Sequence, residues 1–294
     1  VGIQNIKAEL YHAMQGVLCE GPVWDQGRLY WTDIPSKMLY SKQDGSDSAP
    51  SFTLPFEVGA FALWNDLRIV LATAQGLQCF HTGTGTLEQW ANPEALLPQN
   101  RFNDGKCDPR GRFVAGTINP AGQKVAALYV LDIDRSCRKI FGPVTCSNGL
   151  AWSADGETLY YIDTPTRVVR SFAYDPERGR VSHERVVIEI PPDHGKPDGM
   201  TIDTEGNLWI ALWDGGAVEC WNPKSGKRLV RIELPVAKVT SCVFGGNQHE
   251  VLFITTARSG LSDDELRKQD KAGSIFCARP GFAGRAAVRF GGAE

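Results

Sequence analysis

The chain lacks any apolar run long enough to cross a bilayer; stretches such as Ile69-Val70-Leu71-Ala72 have only the length of a strand. It also lacks an excess of either charge. The 31 Lys and Arg residues nearly balance the 34 Asp and Glu residues, for a formal net charge of −3. That balance gives no electrostatic basis for nucleic acid or an anionic membrane as a partner. Sustained amphipathic helical patterns are missing, as are Pro/Ser-rich linkers and low-complexity tracts. Eight cysteines are present, yet none forms a C-x-x-C pair, which excludes zinc-ribbon and thioredoxin readings. Most lie within apolar runs such as Leu77-Gln78-Cys79-Phe80 and read as small buried hydrophobes in a reducing compartment, so a cytoplasmic location is expected. The chain begins at Val1 with no charged region leading into an apolar one, so no signal peptide is expected. The five histidines show no paired ligand spacing, and neither H-E-x-x-H nor G-x-S-x-G occurs. Gly83-Thr84-Gly85 has no third glycine and no following helix, so it reads as a hairpin turn rather than a dinucleotide fingerprint.

What the chain does contain is a repeat. Six segments align: "EGPVWDQGRLYWTDI" from Glu20, "VGAFALWNDLRIVLAT" from Val58, "NDGKCDPRGRFVAGT" from Asn103, "NGLAWSADGETLYYIDT" from Asn148, "DGMTIDTEGNLWIALW" from Asp198 and "TSCVFGGNQHEVLFITT" from Thr240. Each reads as a small or polar entrance, a short apolar strand, a turn and a second strand rich in aromatic and β-branched residues. The starts step by 38 to 50 residues, the period of a propeller blade. Further strand signals at 127–133, 168–174 and 217–221 supply outer strands. The expectation is an all-β chain, one domain over residues 1–294, folded as a six-bladed β-propeller of four-stranded antiparallel blades. One short surface helix is expected after Ser262, where Glu265 completes a capping box.

In a propeller the inner strands run side by side around one channel, so residues at their entrances meet in space. Four entrances pair an oxygen-bearing side chain with glycine: Glu20-Gly21, Asp104-Gly105, Asn148-Gly149 and Asp198-Gly199. The other two, Val58-Gly59 and Thr240-Ser241, are small or neutral. Carboxylates converging in a channel repel one another and lose water, a costly state without a cation among them. Oxygen donors suit one hard divalent ion such as Ca²⁺, Mg²⁺ or Mn²⁺, with Zn²⁺ and Fe²⁺ also open, and Asn148 would serve as a neutral ligand.

These residues carry a resemblance. "CEGPVWDQGRLYWTDI", "RFNDGKCDPRGRFVAGT", "SNGLAWSADGETLYYIDT", "KPDGMTIDTEGNLWIALW" and "TTARSGLSDDELRKQDKAG" together resemble the SMP-30/gluconolactonase/regucalcin family over about residues 10–290. The resemblance implies one catalytic divalent metal at the channel mouth, held by Glu20, Asn148 and Asp198. It places Arg101 and Asn103 beside the metal and the substrate. It implies hydrolysis of a sugar-acid lactone. For that reaction the expected mechanism has Asp198 as general base and the cation stabilising the developing oxyanion. Substrate preference does not carry over, because "AGTINPAGQK" places Asn119, Pro120 and Ala121 where some members have acidic residues. The alternatives are a non-catalytic calcium-binding protein and a broader esterase or phosphotriesterase at the same site. Arg101 and Asn103 favour an enzyme, because an ion buffer needs neither. A small-molecule lactone is the expected partner. His194 could border the mouth and Trp213 could wall a sugar, whereas Trp24, Trp31, Trp152 and Trp209 read as packing.

Overall fold

The computed structural model describes residues 3–292. It is a six-bladed β-propeller. Blades 1 to 5 begin with the inner strands Cys19–Asp25, Val58–Asn65, Arg101–Cys107, Ser147–Trp152 and Lys196–Ile202, and each runs outward through three antiparallel neighbours in chain order. Blade 6 has Val239–Gly245 innermost, followed by Val251–Thr256 and Ile275–Ala278. Its outer strand is Glu9–His12 from the other end of the chain, paired antiparallel with Ile275–Ala278, and this exchange closes the ring. One feature exceeds the four-strand expectation: Gln4–Lys7 adds a fifth strand to blade 5, parallel to Lys227–Glu233. The short helix is Asp263–Lys268, and Ser262 and Glu265 form the expected capping box.

The apolar residues gather into six clusters that lie at the joints between neighbouring blades. Between blades 3 and 4, for example, Val114 and Leu128 meet Leu150, Trp152 and Tyr161. Strands buried on both faces explain why the repeats read as near-continuous apolar runs instead of a clean alternation. Trp31 and Trp209 are wholly buried, and Trp24 and Trp152 nearly so, in keeping with packing roles. All eight cysteines are free, five of them buried and three half-buried.

The C-terminal segment crosses the far end of the channel. Phe282 packs edge-on to Trp209 of blade 5, Ala283 O accepts from Thr204 N, and Arg289 pairs with Asp25 of blade 1. Phe290, 1% exposed, then inserts between Trp64 and Trp90 of blade 2. This ring therefore anchors the strap. Phe290→Ala is expected to cost about 3–5 kcal/mol, read as a lowered urea midpoint; a loss below ~1 kcal/mol would show that the strap does not hold the blades.

Candidate active site at the channel mouth

Every inner strand carries a β-bulge at its entrance. Pairing skips between Glu20 and Val23, Val58 and Ala60, Phe102 and Asp104, Asn148 and Leu150, Pro197 and Met200, and Val239 and Ser241. An extra residue in one strand bends it and re-aims its side chains. Here the bulge falls at or beside each entrance residue. The glycines that follow let neighbouring strands close up. A Cβ on Gly149 would lie 2.9 Å from Asp198 O, and one on Gly199 would lie 2.1 Å from Ser241 Oγ. Two aspartates hold the approach to the mouth. Asp163 accepts from Cys146 N at 2.9 Å in blade 4, and Asp33 accepts from Val17 N and Leu18 N at 3.0 Å in blade 1. These acids, at the ends of "YYIDT" and "YWTDI", fix the chain just before Asn148 and Glu20.

Glu20, Asn148 and Asp198 are all buried at this end of the channel. Asn148 Nδ2 donates to Thr164 Oγ1 at 2.8 Å, and Thr164 Oγ1 in turn donates to Pro197 O at 2.8 Å, one residue before Asp198. With its amide nitrogen so engaged, Asn148 presents Oδ1 to Asn103 Nδ2 at 3.0 Å. Arg101 donates through one guanidinium nitrogen to Asn103 Oδ1 and to Phe102 O, both at 2.9 Å, and Glu57 lies 3.4 Å from its Nε. The chain Glu57–Arg101–Asn103–Asn148 thus links blades 2, 3 and 4 at the mouth.

Asp104 belongs to the same cluster, and Lys106, two residues on, follows it on the same face. Lys106 donates through Nζ to Met200 O at 2.9 Å. Below them lies a cavity of about 220 Å³ with apolar walls that include Phe61, Ala151 and Met200, crossed at its far end by Arg285–Arg289. Charge is poorly solvated here. Burial, reinforced by the Asp104 charge, pushes the Glu20 carboxyl up to about 8, although the Gly21 amide and Arg101 pull the other way. Burial, then Glu20, then Asp104 hold Asp198 well above the usual carboxylate range. Asp104 is also raised by burial, against the pull of Lys106 and the Gly105 amide. Burial lowers Lys106 and Arg101, each partly restored by a nearby carboxylate. The sequence marked Asp104 as an entrance acid but did not include it among the site residues, and Lys106 went unnoticed. The period of two from Asp104 was the available clue to Lys106.

Two peripheral residues have other partners. His194 Nδ1 lies 3.2 Å from the buried Glu219 Oε2, which also accepts from Trp221 Nε1. The Trp213 ring is covered by Lys238 Nζ, 4.6 Å from its centroid.

Fold and site define a six-bladed propeller with a buried cluster of acids and amides at one end of its channel. The family model for the SMP-30/Gluconolactonase/LRE-like region matches residues 18–258, and the chain belongs to this family. YvrE of Bacillus subtilis, provisionally named a sugar lactone lactonase, is 38% identical over 281 residues, covering 95% of this chain and 96% of that protein. Human regucalcin is 37% identical over 265 residues, covering 87% and 89%. The crystal structure of a calcium-binding protein, regucalcin, from Agrobacterium tumefaciens superposes with a TM-score of 0.93 at 28% identity, covering 99% of both chains.

Proposed function

We propose that the protein is a metal-dependent hydrolase of sugar-acid lactones. The observation that carries this reading is the direct hydrogen bond from Asn103 to Asn148, which joins the Arg101 guanidinium to the cluster containing Glu20 and Asp198. A pure ion site needs no such donor fork, whereas a site that must orient a hydroxylated ester does.

Among the described residues no group of three or more His, Cys, Asp and Glu side chains gathers as a metal site. The proposed donor set, the one the family resemblance implies, is the two carboxylates of Glu20 and Asp198 completed by the amide oxygen of Asn148. The residues fit a divalent cation on two counts. Glu20 and Asp198 are both buried, Glu20 disfavours the charge of Asp198, and Asp104 disfavours both charges, the imbalance that a cation removes. Asn148 has its nitrogen turned to Thr164, which leaves Oδ1 as the donor atom. Ca²⁺, Mg²⁺, Mn²⁺, Zn²⁺ and Fe²⁺ all accept such oxygen donors, the hard ions best. When bound, the cation would supply electrophilic stabilisation of the developing oxyanion.

The chain's own groups supply the rest. Arg101, held by Glu57 and the Phe102 carbonyl, orients lactone oxygens. Asn103 aligns a hydroxyl or the attacking water. Asp198 takes the proton of that water as it adds to the carbonyl carbon and returns it to the ring oxygen as the ring C–O bond breaks, so that oxygen leaves as a hydroxyl of the aldonic acid. The eight free thiols accord with a cytoplasmic setting.

A second reading is a calcium-binding protein without turnover; the solved regucalcin, named a calcium-binding protein, supports the calcium-binding part of it. One experiment separates the two. Chelator-treated protein is offered glucono-, xylono-, arabinono- and galactonolactone with and without each divalent ion, and acid release is followed. Opening at least about 10³-fold faster than with chelated protein on one of these lactones is expected. No metal-dependent acceleration on any of them would favour the calcium-binding reading.

A further inference from the structure

A second polar cleft opens on the same face, between blades 2 and 3. It occupies about 120 Å³ and lies under the segment of residues 92–100 that leads into Arg101. That is the space of several waters. Arg101 lines it, so the cleft and the channel mouth share one wall.

The cleft is built around a buried carboxylate. Glu94, 8% exposed, accepts from Thr117 Oγ1 at 2.9 Å, Tyr129 OH at 3.0 Å and Asn100 Nδ2 at 2.9 Å. Asn100 Oδ1 accepts in turn from Asn119 Nδ2 at 2.8 Å. Asn119 thereby ties the segment after "AGT" to the cleft. Four neutral hydrogen-bonding groups and one carboxylate hold each other in fixed positions. The exposed rim adds the primary amides of Gln75 and Asn92, neither of which bonds to another described side chain, and Leu97 and Phe102 supply apolar wall. Free amides on the rim, the edge of a positioned carboxylate and an apolar flank match a sugar ring, which offers hydroxyls at its rim and C–H groups on its face. Among the described lining residues the one cation is Arg101, which is shared with the channel mouth, so the cleft holds no positive charge of its own for an anion.

We propose that this cleft is a second sugar subsite, which takes a glycosyl unit attached to the lactone. Resting on the lactonase reading above, this makes lactones of disaccharide aldonic acids the substrate class. The reaction supplying them is oxidation of a reducing disaccharide at its anomeric carbon.

The test pairs turnover with binding. Glucono-1,5-lactone is compared with cellobiono- and maltobiono-1,5-lactone for kcat/KM, and gluconate with cellobionate and maltobionate by calorimetry on the same metal-loaded protein. One disaccharide compound is expected to be preferred by at least about tenfold in both measurements. Ala74→Phe, which fills the cleft, should erase the preference and leave glucono-1,5-lactone turnover within about twofold. Gln75→Ala, an exposed change that leaves packing intact, should reduce the preference in the same direction. Equal values for single- and two-ring compounds, or a preference untouched by both variants, overturn the subsite. If no lactone is turned over, the lactonase reading fails, and the calorimetric comparison still decides the subsite: tighter cellobionate or maltobionate binding upholds it, and equal or undetected binding overturns it.

Discussion

Asp198→Ala is expected to lower kcat/KM on the best sugar lactone by about 10³-fold or more, the scale of removing a positioned general base. The same change should make the metal-free protein more stable. Asp198 is buried, and its charge is disfavoured by burial and by Glu20 and Asp104. Removing Asp198 relieves that conflict, so thermal unfolding without metal should shift upward while activity disappears. Stability exchanged for function in this way marks a residue kept for chemistry. Unchanged turnover in the variant would remove Asp198 from the reaction. A large fall in metal-free stability would instead assign it a structural role.

The second large effect concerns pH and added cation. Glu20 is raised from an ordinary carboxyl value to about 8. A buried acid raised in this way binds its proton more tightly in the folded chain than in the unfolded one. Metal-free stability is therefore greatest below the unfolded value and is lost as pH rises toward the folded value. Between about pH 4.5 and pH 8 the metal-free protein should lose several kcal/mol, with Asp198 adding to the trend. A divalent cation reverses the penalty by favouring the charged forms. The cation-induced rise in melting temperature should thus be small near pH 5 and large near pH 8. Glu20→Gln should flatten the metal-free pH dependence and weaken cation affinity together. Melting curves at several pH values, with chelator and with Ca²⁺, check both statements. A cation effect equal at pH 5 and pH 8 would contradict the proposed donor set.

The two effects distinguish the residues from one another. Loss of turnover with cation stabilisation retained points to Arg101 or Asn103. Loss of both points to Glu20 or Asp198.

Much of the fold could be read along the chain because it rests on local rules repeated six times. The Asp155-Gly156 turn, the strand Thr158–Asp163 after it and the spacing to the next such unit need no distant partner to be recognised. The capping box at Ser262 is equally local, and the helix is there. The parallel strand Gln4–Lys7 was not legible. It exists because Lys227–Glu233, more than two hundred residues away, exposes a sheet edge that it can pair with.

The site divides in the same way. Residue chemistry and repeat phase were enough to mark Glu20, Asp104, Asn148 and Asp198 as entrance residues; the family resemblance narrowed that set to Glu20, Asn148 and Asp198 and added Arg101 and Asn103. Four things required coordinates: the bulge at each entrance, the rotation of Asn148 imposed by Thr164, the place of Asp104 and Lys106 beside the acids, and the burial that raises Glu20 and Asp198. The reason is physical. Strand pattern, turn chemistry and period depend on neighbours a few residues apart and are written along the chain. Desolvation and charge repulsion depend on which side chains meet across blades, and no residue carries that information until the ring has closed.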